Sequence, residues 1–303
     1  MNKNWIIIIL VVIVLIGLCV VIAGVGGGLY FLSQQRTQTN SPTATWTISP
    51  EPFTSTLPVP AVSPSLADTP TVQPQITQSV EKTPNVDFNG ISFYLDPRLA
   101  QGILPEIIPA APGDATQSMA GEVHPEYTQF TLQGYILENT FHAPCITIYP
   151  LTEYRTMDSS ADEIANQLTQ LLAERPSDAE TLPFLPLWNA AQMFHTQMKY
   201  VDFKNGTGVR FLTQYGQAFY PVNNHDLFYT FQGITEDGLW YISAVLPAFN
   251  PLLPASYAGG DPGIKDPAAY FAQVSSQLSA LGPDSFTPDL LMLDELVGSL
   301  QVH

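Results

Sequence analysis

The feature that most constrains this chain is an uninterrupted apolar run near its start, Trp5–Leu32, which contains no charged side chain. A helix rises about 1.5 Å per residue, so about 20 apolar residues are enough to cross the hydrocarbon core of a bilayer. Every backbone amide in lipid must be hydrogen-bonded within its own segment. The run therefore predicts a helix that spans a membrane once.

Two other uses of the same run compete with an anchor. A signal peptide would be cleaved after Ala23, and a lipoprotein would use Cys19. The apolar core of a signal peptide is usually about 7–15 residues, which is shorter than this run, so the uncleaved anchor is preferred. Lys3 precedes the run and Arg36 is the nearest cation after it, which favours an N-terminus on the inside. We expect residues 1–4 in the cytoplasm, residues 5–32 in the cell membrane, and the rest outside.

The next segment, residues 33–84, has the composition of an extended spacer. It contains 9 prolines, 18 serines or threonines and no glycine. Such a sequence cannot bury enough apolar surface to offset the entropy lost on ordering, and proline keeps it extended. We expect a disordered linker that holds the remaining residues away from the membrane.

Residues 85–303 carry the net charge of the chain, −17 at pH 7. An acidic domain speaks against nucleic acid as a partner, because polyanions attract cationic surfaces. The length suits one extracytoplasmic domain with a sizeable core. Cys145 is the only cysteine outside the apolar run, so this domain has no internal disulfide.

The patterning of this domain predicts an α+β fold. Ser160–Glu174 has one apolar stripe at helical spacing, and Pro267–Leu281 and Pro288–Val302 have similar stripes. Hairpins are expected around Lys204–Gly206 and Thr235–Gly238, because Asn-Gly and Asp-Gly favour tight turns. The paired strands are apolar on both faces, so helices should cover both faces of an antiparallel sheet.

Three other stretches are harder to interpret. Asp87–Leu95 reads as one strand, or as two short strands around Asn89-Gly90. Pro105–Thr116 reads as a loop because of its prolines and glycines. The proline-rich passage Leu182–Met193 has no clear periodicity, and its structure is left open.

The order of elements resembles a known fold family. An early strand (GISFYL), a helix, a large antiparallel sheet and a final helix (LDELVGSL) are similar to the α-β-α sandwich of Mog1/PsbP-like domains. The phrases NGTGVRFLTQY and LFYTFQGITEDGLWYISAVLP resemble membrane-anchored bacterial surface proteins with no assigned activity. These resemblances imply a fold and an extracytoplasmic location, and they supply no catalytic residues.

Arg210 is the first candidate for ligand binding, as a clamp for an anion. It is the one cation in the middle of a predicted strand hairpin. If its face of the sheet is covered, its charge must be paired, because an unpaired buried charge is costly. The alternative is a structural ion pair with Glu236, Asp237 or Asp202.

The second candidate is the polar cluster between two predicted strands, formed by Asn223, Asn224, His225 and Asp226. Its hydrogen-bonding groups could hold a ligand or an ion. Asn and Asp also dominate turns, because their side chains bond to their own backbone. Turn formation is therefore the alternative.

No metal site or cofactor is expected. Cys145 lies three residues after His142, but zinc requires three or four converging ligands. Asp261 and Asp266 lack the alternating acids of a calcium loop. Phosphate-binding loops and nucleophile motifs are also missing from the sequence.

These observations favour a non-catalytic binding or assembly role at the cell surface, with a possible protein partner in the cell envelope. A surface hydrolase with an unrecognised site remains the alternative. Because the sequence has no catalytic motif, the binding or assembly role is preferred to an enzyme.

Overall fold

The computed structural model describes residues 82–303, which form two antiparallel sheets and four α-helices. The predicted α+β class is confirmed. The predicted cytoplasmic segment, the predicted membrane helix and nearly all of the predicted linker lie outside the described residues. Between residues 82 and 303, no helix is both long and apolar enough to cross a membrane.

The elements follow one another with mostly short connections. The strands are β1 (Val86–Phe88), β2 (Ile91–Phe93), β3 (Gly102–Ile108), β4 (Tyr127–Gln133), β5 (Cys145–Pro150), β6 (Ala191–Phe203), β7 (Gly206–Gly216), β8 (Phe228–Thr235), β9 (Trp240–Pro247) and β10 (Gln301–Val302). The helices are α1 (Leu151–Met157), α2 (Ser159–Glu174), α3 (Pro267–Ser279) and α4 (Leu290–Gly298), with a 3-10 turn at Pro283–Ser285.

The large sheet has seven strands in the order β3-β4-β5-β9-β8-β7-β6, and every neighbouring pair is antiparallel. A small sheet has the order β1-β2-β10. Both predicted hairpins are present, joining β6 to β7 and β8 to β9. Of the two interpretations of the first strand, the pair of short strands is the correct one, and Asn89 and Gly90 form the turn with positive φ angles of 52° and 75°.

Helices pack on both faces of the large sheet. Helices α3 and α4 pack on one face, where Tyr229, Phe231 and Ile242 belong to the larger core. Helices α1 and α2 pack on the other face, against Val209 and Tyr241. Alternate residues of β7, β8 and β9 thus enter opposite cores, which explains why these strands are apolar throughout.

Two predictions of local structure were wrong. The predicted loop from Pro105 contains most of strand β3, which lies at the edge of the large sheet. An edge strand accepts proline, because one side of its backbone has no neighbour to bond. The predicted final helix begins later and ends earlier than expected. Asp289 caps it by accepting a hydrogen bond from the amide of Leu291, and its predicted last residues form β10.

Candidate functional site

The predicted polar cluster forms the turn before β8. Asn223 is fully buried, and its side-chain oxygen accepts hydrogen bonds from the amides of His225 (3.1 Å) and Asp226 (3.3 Å). Its side-chain nitrogen donates to Oδ2 of Asp226 (2.8 Å). These bonds are those of a side-chain-stabilised turn. Most of the hydrogen-bonding groups of Asn223 are therefore used within the turn itself.

Asn224 extends this turn to the loop that follows β9. Its Nδ2 donates to the carbonyls of Asn250 (3.1 Å) and Leu253 (3.0 Å), and its Oδ1 accepts from the amide of Asn250 (2.9 Å). The His225 ring bonds the carbonyl of Asn139 in the loop between β4 and β5 (2.7 Å). The turn thus holds together three loops at one end of the large sheet, which we call the loop end.

Arg210 lies inside the domain, with 4% of its surface exposed. Its Nε donates to Oδ1 of Asp294 on α4 at 3.0 Å, and its NH1 donates to the carbonyl of Gln197. The carboxylate of Asp294 also binds Nζ of Lys199 (2.9 Å) and the hydroxyl of Tyr229 (3.2 Å). The partners predicted for Arg210 (Glu236, Asp237 and Asp202) were wrong. The true partner lies on helix α4, which packs on the same face of the sheet as Arg210, and it is 84 residues away in the sequence.

A cleft of about 660 Å³ opens at the loop end, a volume within the usual range for ligand sites. We call it the aromatic cleft. It is lined by Phe141, His142, Trp188, Asn189, Ala190, Tyr215, Gly216, Gln217, Ala218 and Tyr220. Five of these ten residues are aromatic or imidazole rings, and two are carboxamides. None is an acid, a lysine or an arginine, in a chain whose net charge is −17.

Trp188 is the centre of the aromatic cleft. The His142 ring stacks on its indole, with centroids 4.7 Å apart and planes 3° apart. Tyr215 stands at 90° to the indole with centroids 5.4 Å apart, and the rings of Phe184 and Phe228 also contact it, at angles of 59° and 67°. His142 therefore covers one face of the indole, and Trp188 also lines the cleft. Its Nε1–H makes no hydrogen bond within the described residues.

Trp188 belongs to the proline-rich passage Leu182–Met193, whose structure was left open by the sequence. Hydrogen bonds to the sheet hold this passage at the aromatic cleft. The amide of Leu185 donates to Oε1 of Gln232 on β8 (2.9 Å), and Nε2 of Gln232 donates to the Leu185 carbonyl (3.1 Å). Gln232 also binds Tyr241 and Ser243 on β9. These buried bonds fix residues 182–190 across the sheet beside α2, because a buried amide is costly to leave unpaired.

The electrostatic character of the aromatic cleft follows from burial. Desolvation lowers the pKa of His142 to about 4, with an opposing effect of Asp226 and a further lowering by His225. Burial raises the pKa of Tyr215, so its hydroxyl keeps its proton. The imidazole is therefore neutral at pH 7, and the cleft offers neutral rings, amides and hydroxyls to a ligand.

The depressed pKa of His142 predicts a pH dependence of stability. Between about pH 4 and 6.5 the unfolded state binds a proton at His142 that the folded state does not, so acid favours unfolding. The stability that the protein has with neutral His142 is fully present above pH 6.5 and is lost as the pH falls to 4. We expect a loss of at most about 2–3 kcal/mol in the free energy of unfolding, scaled down because the ring is partly accessible. Urea titrations of the wild type and His142→Phe at several pH values measure it. Parallel pH profiles of the two proteins would contradict the assignment.

Cys145 does not line the aromatic cleft, but it packs against Phe184, Phe228 and Val245 next to it. Burial raises the pKa of its thiol to about 11. Because the thiolate is the reactive form, we expect Cys145 to react with iodoacetamide at least tenfold more slowly at pH 8 than a free cysteine. Peptide mapping by mass spectrometry separates its labelling from that of Cys19. Labelling at the rate of free cysteine would show that the thiol is not buried in solution.

Two other clefts are less suited to a specific ligand. One, of about 490 Å³, lies beside Arg175, whose NH2 is bonded to Asp202 (3.1 Å) and Thr207 (3.0 Å) on an exposed surface. The other, of about 380 Å³, lies between β1 and β3. Within the described part of the chain, no three His, Cys, Asp or Glu side chains are grouped so as to hold a metal ion.

The predicted residues and the aromatic cleft are related in different ways. The turn 223–226 shares its loop with Tyr220, so it supports the cleft without lining it. Arg210 lies on the opposite face and lines none of the three clefts. A ligand-binding role for these five residues stays a prediction. The sequence reasoning missed Phe141, Trp188 and Tyr215, and the only available signal was a tryptophan in a passage without regular periodicity.

Comparisons with protein-family models, with curated proteins and with solved structures each found no match to this chain.

Proposed function

We propose that this chain is a single-pass membrane protein whose extracytoplasmic domain binds a partner in the cell envelope through the aromatic cleft, without turning it over. The location rests on the apolar run and the proline-rich spacer of the sequence. The binding role rests on one observation: a cleft of ligand size whose lining is aromatic and uncharged, on a strongly acidic domain.

The chemistry of the lining favours binding over hydrolysis. Glycoside hydrolysis generally uses a pair of carboxylates, and the cleft lining has none. A cysteine nucleophile requires a thiolate, whereas the pKa of the nearby Cys145 is about 11. Exposed aromatic residues such as Phe141, with 68% of its surface accessible, are typical anchors of binding interfaces.

The finer fold assignment is also part of this proposal. We assign the domain to the Mog1/PsbP-like sandwiches, together with the anchored bacterial surface proteins that its sequence resembles. A seven-stranded antiparallel sheet with helices on both faces supports the assignment.

Photo-crosslinking in native membranes tests the binding role. A benzophenone amino acid placed at Phe141 should give a discrete crosslinked product. The same group placed at Leu239, which is 51% exposed in the turn at the opposite end of the sheet, should not. The product from position 141 should disappear when Trp188 is replaced by alanine. Equal products from both positions, or none from position 141, would contradict the proposal.

Protease treatment tests the location. Added to whole cells, it should remove the domain that contains residues 82–303 to the same extent as in lysed cells. Digestion of the domain only after lysis would show that it lies on the cytoplasmic side.

A further inference from the structure

The packing of the aromatic cleft narrows the class of partner that it fits, on the premise that the proposed binding role is correct. We propose that the aromatic cleft binds an extended, proline-rich peptide segment in the polyproline II conformation. Grooves between aromatic rings are the recurring recognition mode for such segments, whose rings fill the slots and whose backbone stays extended.

The ring arrangement is the first argument. A sugar would stack on an open, flat ring face, but the indole of Trp188 is packed against His142 on one side and stands among three further rings. Trp188 and Tyr215 are perpendicular to each other, with centroids 5.4 Å apart. At that distance the two rings are in edge-to-face contact, so together they form one angular aromatic surface, which suits a compact, rigid proline ring better than a flat hexose.

The free hydrogen-bonding groups are the second argument. A proline-rich segment has carbonyl acceptors and few N–H donors, because proline has no amide hydrogen. The cleft offers donors that no described residue accepts, from Nε1–H of Trp188 and the carboxamide of Asn189. The hydroxyl of Tyr215 accepts from Nε2 of Gln192 (3.3 Å), which leaves its own hydrogen free to donate. Donors beside aromatic rings match a backbone whose carbonyls point outward.

Charge is the third argument. The lining has no charged side chain, so it offers no counter-charge to replace the water that a charged ligand would lose on binding. An uncharged segment does not meet this cost. The chain as a whole has a net charge of −17, which disfavours an anionic glycan or an acidic peptide. A run of prolines and small apolar residues satisfies both conditions.

The test is a titration of the full-length protein, in detergent micelles, into fluorescein-labelled decaproline followed by fluorescence anisotropy. We expect saturable binding that Phe141→Ala weakens by at least tenfold and Tyr215→Phe by several-fold, as for residues at the centre of an interface. Leu239→Ala is the matched control, since Leu239 is also an exposed apolar residue but lies at the opposite end of the sheet, and it should leave affinity unchanged. Because Phe141 lies on the surface, its truncation should not alter folding, and circular dichroism checks this.

Neutral oligosaccharides provide the competing arm. No saturable binding of decaproline up to millimolar concentration, or binding that is insensitive to Phe141→Ala, would overturn the peptide assignment. Binding of chitohexaose or cellohexaose that depends on Phe141, in the absence of decaproline binding, would also overturn it while leaving the binding role of the cleft intact. Failure of the crosslinking at position 141, in contrast, would remove the binding role itself.

Discussion

Replacing Asp294 by alanine is expected to lower the free energy of unfolding by about 3–5 kcal/mol, the usual cost of leaving a buried charge without its partner. Asp294 joins helix α4 to the large sheet, and its carboxylate is the only anion bonded to Arg210 among the described residues. Arg210 is 4% exposed and cannot turn to solvent, whereas Lys199, with 48% of its side chain exposed, can.

The adjacent residue supplies the control. Glu295 is on the same helix and pairs with Lys82 at 2.7 Å, but 57% of its side chain is exposed. Exposed ion pairs contribute about 0–1 kcal/mol, so Glu295→Ala should be nearly neutral in the same urea titration. Replacing both buried partners, Arg210→Met with Asp294→Leu, should recover most of the lost stability, because no unpaired charge remains. An Asp294→Ala variant as stable as Glu295→Ala would show that the buried pair is not formed.

The fold was predictable where the signals are local. Asn-Gly at 89–90 and at 205–206 sets turns within a few residues, and both turns join antiparallel strands. The ends of elements were less predictable, since tertiary contacts decide them. β3 contains Pro105 because it lies at a sheet edge, and the chain leaves helix α4 early because Gln301–Val302 pairs with β2.

The site was less predictable than the fold, because its residues come from separate parts of the chain. Phe141, Trp188 and Tyr215 belong to three different segments, and none has a periodicity that marks it as part of a cleft. The polar turn 223–226 was a candidate site because of its composition, but its side chains form hydrogen bonds that hold the surrounding loops together. The requirement that Arg210 be paired could be derived from the sequence, but its partner, 84 residues away, could not.

Gln232→Leu is expected to lower the free energy of unfolding by about 3–5 kcal/mol and to disturb the aromatic cleft at the same time. Gln232 is fully buried, and its carboxamide serves both backbone groups of Leu185 and the hydroxyls of Tyr241 and Ser243. Leucine has a similar size but leaves the Leu185 amide and the Tyr241 hydroxyl without acceptors. Each unsatisfied buried group costs about 1–3 kcal/mol.

The effect on the cleft distinguishes a positioning role from a general loss of stability. Without its bonds to Gln232, residues 182–190 lose their attachment to β8, so hydrogen exchange at the Leu185 amide should accelerate more than exchange in β7. Tyr241→Phe is the matched control, since it removes only one of these bonds (2.7 Å) and should cost about 1 kcal/mol. Because Trp188 lies in the released segment, Gln232→Leu should also weaken binding at the cleft, while Tyr241→Phe should not. If the two variants were equally stable and bound equally well, this buried glutamine would not be what holds Trp188 in place.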